Sequence, residues 1–263
     1  MKIKKFDFIF VLLCLLLIVI GSFYDFQISA FLFNPGSLFG KILAVYGMYP
    51  AYLFLFVVCL YLFFNFKEII YKIIGILIYL YLIYDCLQAN YKYGLNINIF
   101  LSVIILVLIY IVPSYYLYKY LNTKQSEQIN KLIIFMFVYI ILQVIVINIL
   151  KVIWLRPRMI LISTNENYSF LPWYKFGKYL KDVSMDLFRS FPSGHTSSAT
   201  TILLIKHMSN SKYNNVLVAI FIIIVAVSRL IIGAHFLTDV AFGALISFLL
   251  YKLVYKYVYL NIK

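Results

Sequence analysis

Apolar residues run along this chain in blocks about as long as a bilayer crossing, ~20 residues, separated by short polar gaps. The blocks fall at 6–24, 44–66, 68–88, 98–118, 132–150, 194–209, 216–234 and 237–259. Read as helices, they predict an all-α fold, a polytopic membrane bundle of about eight transmembrane helices. The 194–209 block is the shortest and is rich in Ser and Thr. Only Phe66-Lys67-Glu68 separates the second block from the third. The opening Met1-Lys2-Ile3-Lys4-Lys5 ahead of an apolar run has the outline of a signal peptide. The run nevertheless continues to about Tyr24 with no small-x-small cleavage site, so it reads as a retained first span.

Composition points the same way. Hydrophobic residues make up 65% of the 263 and charged residues only 12%, against roughly 25% charged in a soluble domain. A soluble fold of this length has too little interior to hide that much apolar surface. The net charge of +14 would suit a nucleic-acid binder, but the lysines sit in the short gaps between apolar runs, as the positive-inside rule produces. No nucleic-acid partner is expected. Cys14, Cys59 and Cys86 all lie in apolar stretches, spaced for neither a metal nor a disulfide.

The lysines also orient the chain. With the N-terminus inside, the inner gaps hold Lys2, Lys4 and Lys5; Lys67 and Lys72; Lys119, Lys124 and Lys131; Lys206 and Lys212; and Lys252, Lys256 and Lys263. The outer gaps near 25–43 and 89–97 hold one each, Lys41 and Lys92. Eight spans return the C-terminus to the inside. The expectation is a multi-pass protein of a plasma (inner) membrane with both termini cytoplasmic. Richness in lysine, isoleucine, asparagine and tyrosine suggests an AT-rich, bacterial genome.

One outer segment breaks the rule. From Lys151 to Ser193 the chain carries Lys151, Arg156, Arg158, Lys175, Lys178, Lys181 and Arg189, and all four arginines (156, 158, 189 and 229) fall on the outer side. A guanidinium is a planar fork suited to phosphate oxygens, and an ammonium is not. An anionic ligand accounts for cations where topology disfavours them. Both tryptophans, Trp154 and Trp173, also fall here, at the depth of an aromatic belt. The amphipathic stretch Phe176 to Phe188 suggests a short interfacial helix.

Three motifs carry candidate chemistry. His235 and Asp239 are four apart and share a helix face. Asp239 placed there can accept the Nδ1–H of His235 and leave Nε2 bare as a nucleophile. Gly233-Ala234 gives a permissive backbone for ligand approach, and Arg229 ends the preceding span. Pro192-Ser193-Gly194-His195 opens a span with unpaired amides and a second imidazole. Lys151 lies seven residues before Arg158 at another outer helix end, where a lysine must snorkel or pair. His207, the third histidine, lies in an inner gap and reads as interfacial. Aspartate and glutamate are few and scattered, so no metal site and no cofactor is expected.

These three stretches, in this order, resemble the signature of the type 2 phosphatidic acid phosphatase superfamily of integral membrane lipid phosphatases: Lys-x6-Arg-Pro, Pro-Ser-Gly-His, and Ser-Arg-x5-His-x3-Asp. Ser228-Arg229-x5-His235-x3-Asp239 and Pro192–His195 match throughout. The first motif matches through Arg158, but Met159 follows it, and a proline follows Arg156 instead; spacing selects Arg158. The resemblance covers about 132–259 and implies a catalytic core region, 119–263, that carries the three motifs; the family core has six spans, so the N-terminal helices 1–118 hold two more spans than that core requires.

The resemblance further implies residue roles. His235 would be the nucleophile forming a phosphohistidine, Asp239 would orient it, and His195 would protonate the leaving group. Lys151, Arg158, Ser193, Gly194 and Arg229 would hold the phosphate oxygens. It thus implies a metal-independent hydrolase at the outer face, acting on a lipid phosphate or diphosphate in the bilayer. Undecaprenyl diphosphate, phosphatidylglycerophosphate, phosphatidic acid and a lipid-linked saccharide phosphate are candidate substrates. A phosphotransferase with the same intermediate, and a transporter or lipid-binding protein using the basic cluster for recognition alone, are the competing functions. Oligomeric state is not legible from the sequence.

Overall fold

The structure is a computed structural model that describes residues 5–123, 125–179, 183–209 and 211–261. Lys2, Lys4, Lys124, Lys181 and Lys263, which carry part of the topology argument, lie outside the described residues. The helices are α1 (Lys5–Leu32), α2 (Leu38–Tyr46), α3 (Tyr49–Asn65), α4 (Ile69–Lys92), α5 (Ile99–Leu106), α6 (Val112–Leu121), α7 (Ser126–Trp154), α8 (Met159–Thr164), α9 (Gly194–Thr200), α10 (Asn214–Ile231) and α11 (Leu237–Val254). A π-helical turn, Val107–Ile111, joins α5 to α6, and a 3-10 segment, Thr201–His207, continues α9. No strand occurs among the described residues. The fold is an all-α polytopic membrane bundle.

Seven segments among the described residues are long and apolar enough to cross a membrane; the 194–209 block is not one of them. It folds as α9 plus the 3-10 segment, and it still runs the depth of the bundle. Gly194 lies beside Lys151 at one end, and His207 packs on Phe135, Tyr255 and Tyr259 at the other. Its Ser and Thr residues are tolerated because protein encloses it: Thr196, Ser197, Thr200 and Thr201 are buried. His207 is therefore part of an aromatic cluster, bonded to the Tyr251 hydroxyl at 2.8 Å.

Helix α1 has the polarity of a membrane helix turned inside out. Leu12, Leu13, Leu16, Val19 and Phe23 are exposed, while Asp7, Gly21, Asp25 and Ser29 are buried. Hydrocarbon solvates the apolar face at no cost, so the polar residues turn inward to find partners. Asp7 pairs with Lys252 of α11.

The main core draws Cys14 and Ile18 of α1, Phe54 and Val57 of α3, Phe135 and Tyr139 of α7, and Phe248 of α11 into one cluster. A second cluster, Tyr52, Phe56, Cys59, Leu82, Leu106 and Tyr110, fixes α4, α5 and the start of α6 on α3. If α2–α3 is taken as one crossing and α9 with its continuation as another, six crossings share the main core with α1, α7, α10 and α11. Helix α4 and the α5–α6 unit supply the other two, and α6 also lends Tyr118 and Leu121 to the main core. The boundary expected between 118 and 119 falls inside α6, and residues from both sides of it share a core, so no packing break separates two domains there.

Among its described residues, the segment between α8 and α9 does not show the interfacial helix its amphipathicity suggests. Leu180, Lys181 and Asp182 lie outside the described residues, and Met185–Phe188 is a single 3-10 turn. Trp173 is half-buried. Its ring packs on Phe242 of α11, and its Nε1 donates to Ser22 of α1 at 2.9 Å. The three cysteines are unpaired.

Candidate active site

The ends of α7, α9, α10 and α11 on one side of the bundle meet at a cavity of about 380 Å3. Lys151, Arg158, Gly194, His195, Arg229 and His235 line it, together with Arg189, Asp186, and Asp85, Lys92 and Tyr93 from α4 and its end. Five cationic side chains thus face two carboxylates.

Local sequence explains how each group arrives. Helix α7 ends at Leu155, whose left-handed backbone (φ 46°) turns the chain sharply. Lys151, one turn earlier, donates to the Arg189 carbonyl at 2.6 Å and is buried. Arg158 heads α8, and its guanidinium grips Asp186 through both outer nitrogens at 3.1 and 3.2 Å. Burial would raise the Asp186 carboxyl, but Arg158, Lys92, Lys151 and Arg189 together hold it below its ordinary range. Arg189 donates to Asn148 at 2.6 Å. Arg229 is 1% exposed, lies over the Tyr93 ring at 5.4 Å, and has no hydrogen-bond partner for Nε or Nη1.

The two imidazoles are fixed by carbonyls, which only accept. The Nδ1–H of His235 donates to the Ser190 carbonyl at 2.6 Å. Its Nε2 is therefore the unprotonated nitrogen. Burial, aided by Lys151, Arg229 and Arg158 and opposed by Asp239, pushes His235 down to about 3. His195 donates from Nε2 to the Ala44 carbonyl at 2.8 Å and meets the Tyr93 ring edge-on at 5.5 Å.

Three expectations change here. Asp239 does not accept the Nδ1–H of His235; its Oδ2 is 3.9 Å from Nδ1. Its oxygens are already taken by Arg156 Nη1 at 2.5 Å, Ser190 Oγ at 2.5 Å and the Phe236 amide at 2.8 Å. It acts on His235 through Ser190, the residue that both contact. Ser193 does not line the cavity: its hydroxyl accepts from the Thr196 amide at 3.3 Å and caps α9. The backbone of Ser193 rests on Gly243, where a Cβ would come within 2.5 Å of the Ser193 carbonyl oxygen. Gly233 is needed for its left-handed turn (φ 68°), but the space above it holds the Phe33 ring, not a ligand.

Sequence reasoning missed the network behind His235. Arg156 is fully buried, bonded to Asp25 at 2.9 Å, Asp239, Thr238 at 2.9 Å and the Leu171 carbonyl at 2.7 Å. Its guanidinium also lies 4.3 Å from the Phe236 ring centroid. Asp25 accepts in turn from the Thr238 amide at 2.9 Å. A signal existed: a lone carboxylate inside the first apolar block is costly unless paired. Among the described residues no group of three or more His, Cys, Asp or Glu side chains gathers as a metal set.

No solved structure matches the chain. A family profile described as the PAP2 superfamily matches residues 132–263, half of the chain, from α7 to the end. It spans every cavity residue from Ile140 onward, including both imidazoles. The family carries with it hydrolysis of phosphoric esters and a lipid-type substrate in a bilayer. With seven apolar helices among the described residues and half of its length matched, this chain belongs to the PAP2 superfamily, the type 2 phosphatidic acid phosphatases.

Proposed function

We propose that the protein hydrolyses a lipid phosphate or diphosphate through a phosphohistidine, without a metal, from the extracytoplasmic face. The observation that carries the reading is the buried Arg229, with two donors unpartnered, beside a His235 whose Nε2 is bare. A buried cation without an acceptor is costly, and a phosphate oxygen removes that cost.

In this reading Lys151, Arg158, Arg229 and the Gly194 amide hold the non-bridging oxygens. Ser193 supports them by shaping α9. Nε2 of His235 attacks phosphorus in line, a P–N bond forms, and the ester P–O bond breaks. The positive charge on the phosphorylated imidazole is compensated by Asp239 through Ser190. Because Ala44 holds the Nε2 proton of His195, the proton for the leaving oxygen comes from Nδ1 of its imidazolium. The neutral Nδ1 then takes a proton from the water that cleaves the P–N bond. Positioning and charge supply most of the acceleration in such a transfer. The lysine distribution supports an outward site, since the cavity lies at the helix ends away from most lysines.

Purified protein with EDTA should release phosphate from lipid phosphates. Acid-labile, base-stable phosphoprotein should accumulate after rapid quench and vanish in His235→Ala. Phosphoprotein in that variant, or loss of wild-type activity on chelation, would overturn the mechanism. Intact cells hydrolysing an impermeant short-chain lipid phosphate would test the face.

A further inference from the structure

Beyond the phosphate cluster the cavity continues into the bundle, and its inner part has a different chemistry. Leu55, Leu82, Val144 and Ile147 give it an apolar wall. Three oxygen-bearing groups interrupt that wall: Gln143 of α7, Ser197 of α9 and Asp85 of α4. Gln143 and Ser197 are 2% and 1% exposed.

The Gln143 amide is oriented without ambiguity. Its nitrogen donates to the Ser197 carbonyl at 2.5 Å and to the Ser247 hydroxyl. A carbonyl cannot donate, so the nitrogen faces it and Oε1 turns the other way, where it has no partner. The Ser197 hydroxyl has none either. Across the cavity Tyr52 donates to one oxygen of Asp85. No lysine, arginine or histidine among the described residues forms an ion pair with that carboxylate.

An unmet buried acceptor is costly, and an ionisable group at membrane depth marks a ligand path. Ser197 lies two residues beyond His195 on α9, and Gln143 eight residues before Lys151 on α7. With 1.5 Å rise per residue, Ser197 sits about 3 Å and Gln143 about 12 Å below the phosphate groups, roughly half a turn and two turns. The cavity is thus cationic at its mouth and rich in acceptors inside.

We infer that the inner cavity is a subsite for a hydrogen-bond donor, a hydroxyl or an ammonium, carried by the leaving group within a few bonds of its phosphate ester. This rests on the phosphatase reading and narrows its substrate to lipids with a polar backbone. A purely hydrocarbon alcohol such as a polyprenol leaves Gln143 Oε1 and the Ser197 hydroxyl unmet and brings no donor to Asp85. Asp85 comes from α4, which contributes no residue to the main core, so that helix acquires a role in choosing the lipid.

The test uses the full chain in mixed micelles with three single-chain monophosphates of equal length. An alkyl phosphate offers no donor, a 1-acylglycerol 3-phosphate a hydroxyl, and a sphingoid-base 1-phosphate a hydroxyl and an ammonium. The expected result is a kcat/KM at least tenfold higher for a donor-bearing lipid than for the alkyl phosphate. Ser197→Ala, which removes a hydroxyl that bonds nothing, should bring that ratio toward one. Asp85→Asn should lower the sphingoid rate alone if the ammonium is what is read, and neither lipid selectively if it is the hydroxyl. Three equal rates in the wild type, as structural waters on the acceptors would give, overturn the subsite. So does a high ratio that survives both substitutions. Binding of the same lipids is read in parallel from thermal unfolding. Donor-dependent binding with no hydrolysis would retire the phosphatase reading and keep the subsite; donor-independent binding would retire the subsite.

Discussion

Arg156 and Arg229 are both buried guanidinium groups near His235, and their surroundings are opposite. Arg156 is bracketed by Asp25 and Asp239, and donates as well to Thr238 and the Leu171 carbonyl. Arg229 has an aromatic ring on one face and two nitrogens without acceptors. In the first case the protein cancels its own charge; in the second it does not, and an anion must complete the arrangement. Burial of charge alone therefore does not mark a binding site. The deficit marks it, and here the deficit faces the cavity while the balanced network stands behind it.

The sharpest way to break that contrast is to truncate each arginine. Arg156→Ala strands two buried carboxylates and should cost about 3–5 kcal/mol of stability, read as a fall in melting temperature and a loss of folded yield in detergent. Arg229→Ala should leave the melting temperature unchanged or raised, because a buried unpaired charge is removed, while kcat/KM falls about 10²–10³-fold. If Arg229→Ala unfolds the protein and Arg156→Ala only slows it, the assignment of the two regions is reversed.

Inorganic phosphate sharpens the comparison without chemistry. At a hundred times its Kd it should stabilise the wild type by about 2.7 kcal/mol and should leave Arg229→Ala unmoved. Asp25→Asn, which touches only the balanced side, should keep the phosphate response while starting from a lower melting temperature.

A pH slope gives the gentlest change per step. His235 titrates near 3 in the folded protein but near 6.5 unfolded. Between those values the unfolded chain binds the proton and the folded chain does not. Stability then falls as pH is lowered through that window, by up to about 1.4 kcal/mol per pH unit. Saturating phosphate should flatten the slope, because a bound anion favours the imidazolium, and His235→Asn should flatten it without phosphate.

Much of the bundle could be read from length and hydropathy, since hydrocarbon imposes helices on any apolar block. The exception, 194–209, was legible as an oddity from its Ser and Thr content, but its enclosure by α7, α10 and α11 is a tertiary fact. The motif spacing located Lys151, Arg158, Gly194, His195, Arg229 and His235 because each sits at a helix end on one side of the bundle, where local sequence decides position. Ser193 and Asp239 diverged because a hydroxyl or a carboxylate bonds whatever donor lies closest, and those donors, the Thr196 amide and Arg156, are set by packing. Asp25 carried a signal as a lone acid in an apolar run, but its partner lies 131 residues away and no periodicity encodes that.

Asp25 also bears on how the protein is made. It lies on α1, far ahead of Arg156 and Thr238 along the chain, so its bonds to them wait for segments synthesised much later. Until α11 inserts, an acid on α1 and a guanidinium after α7 share the bilayer without their full complement of ligands. Helix α11 both supplies Asp239 and locks α1 in place, so a chain cut short before α11 lacks the network that stands behind His235.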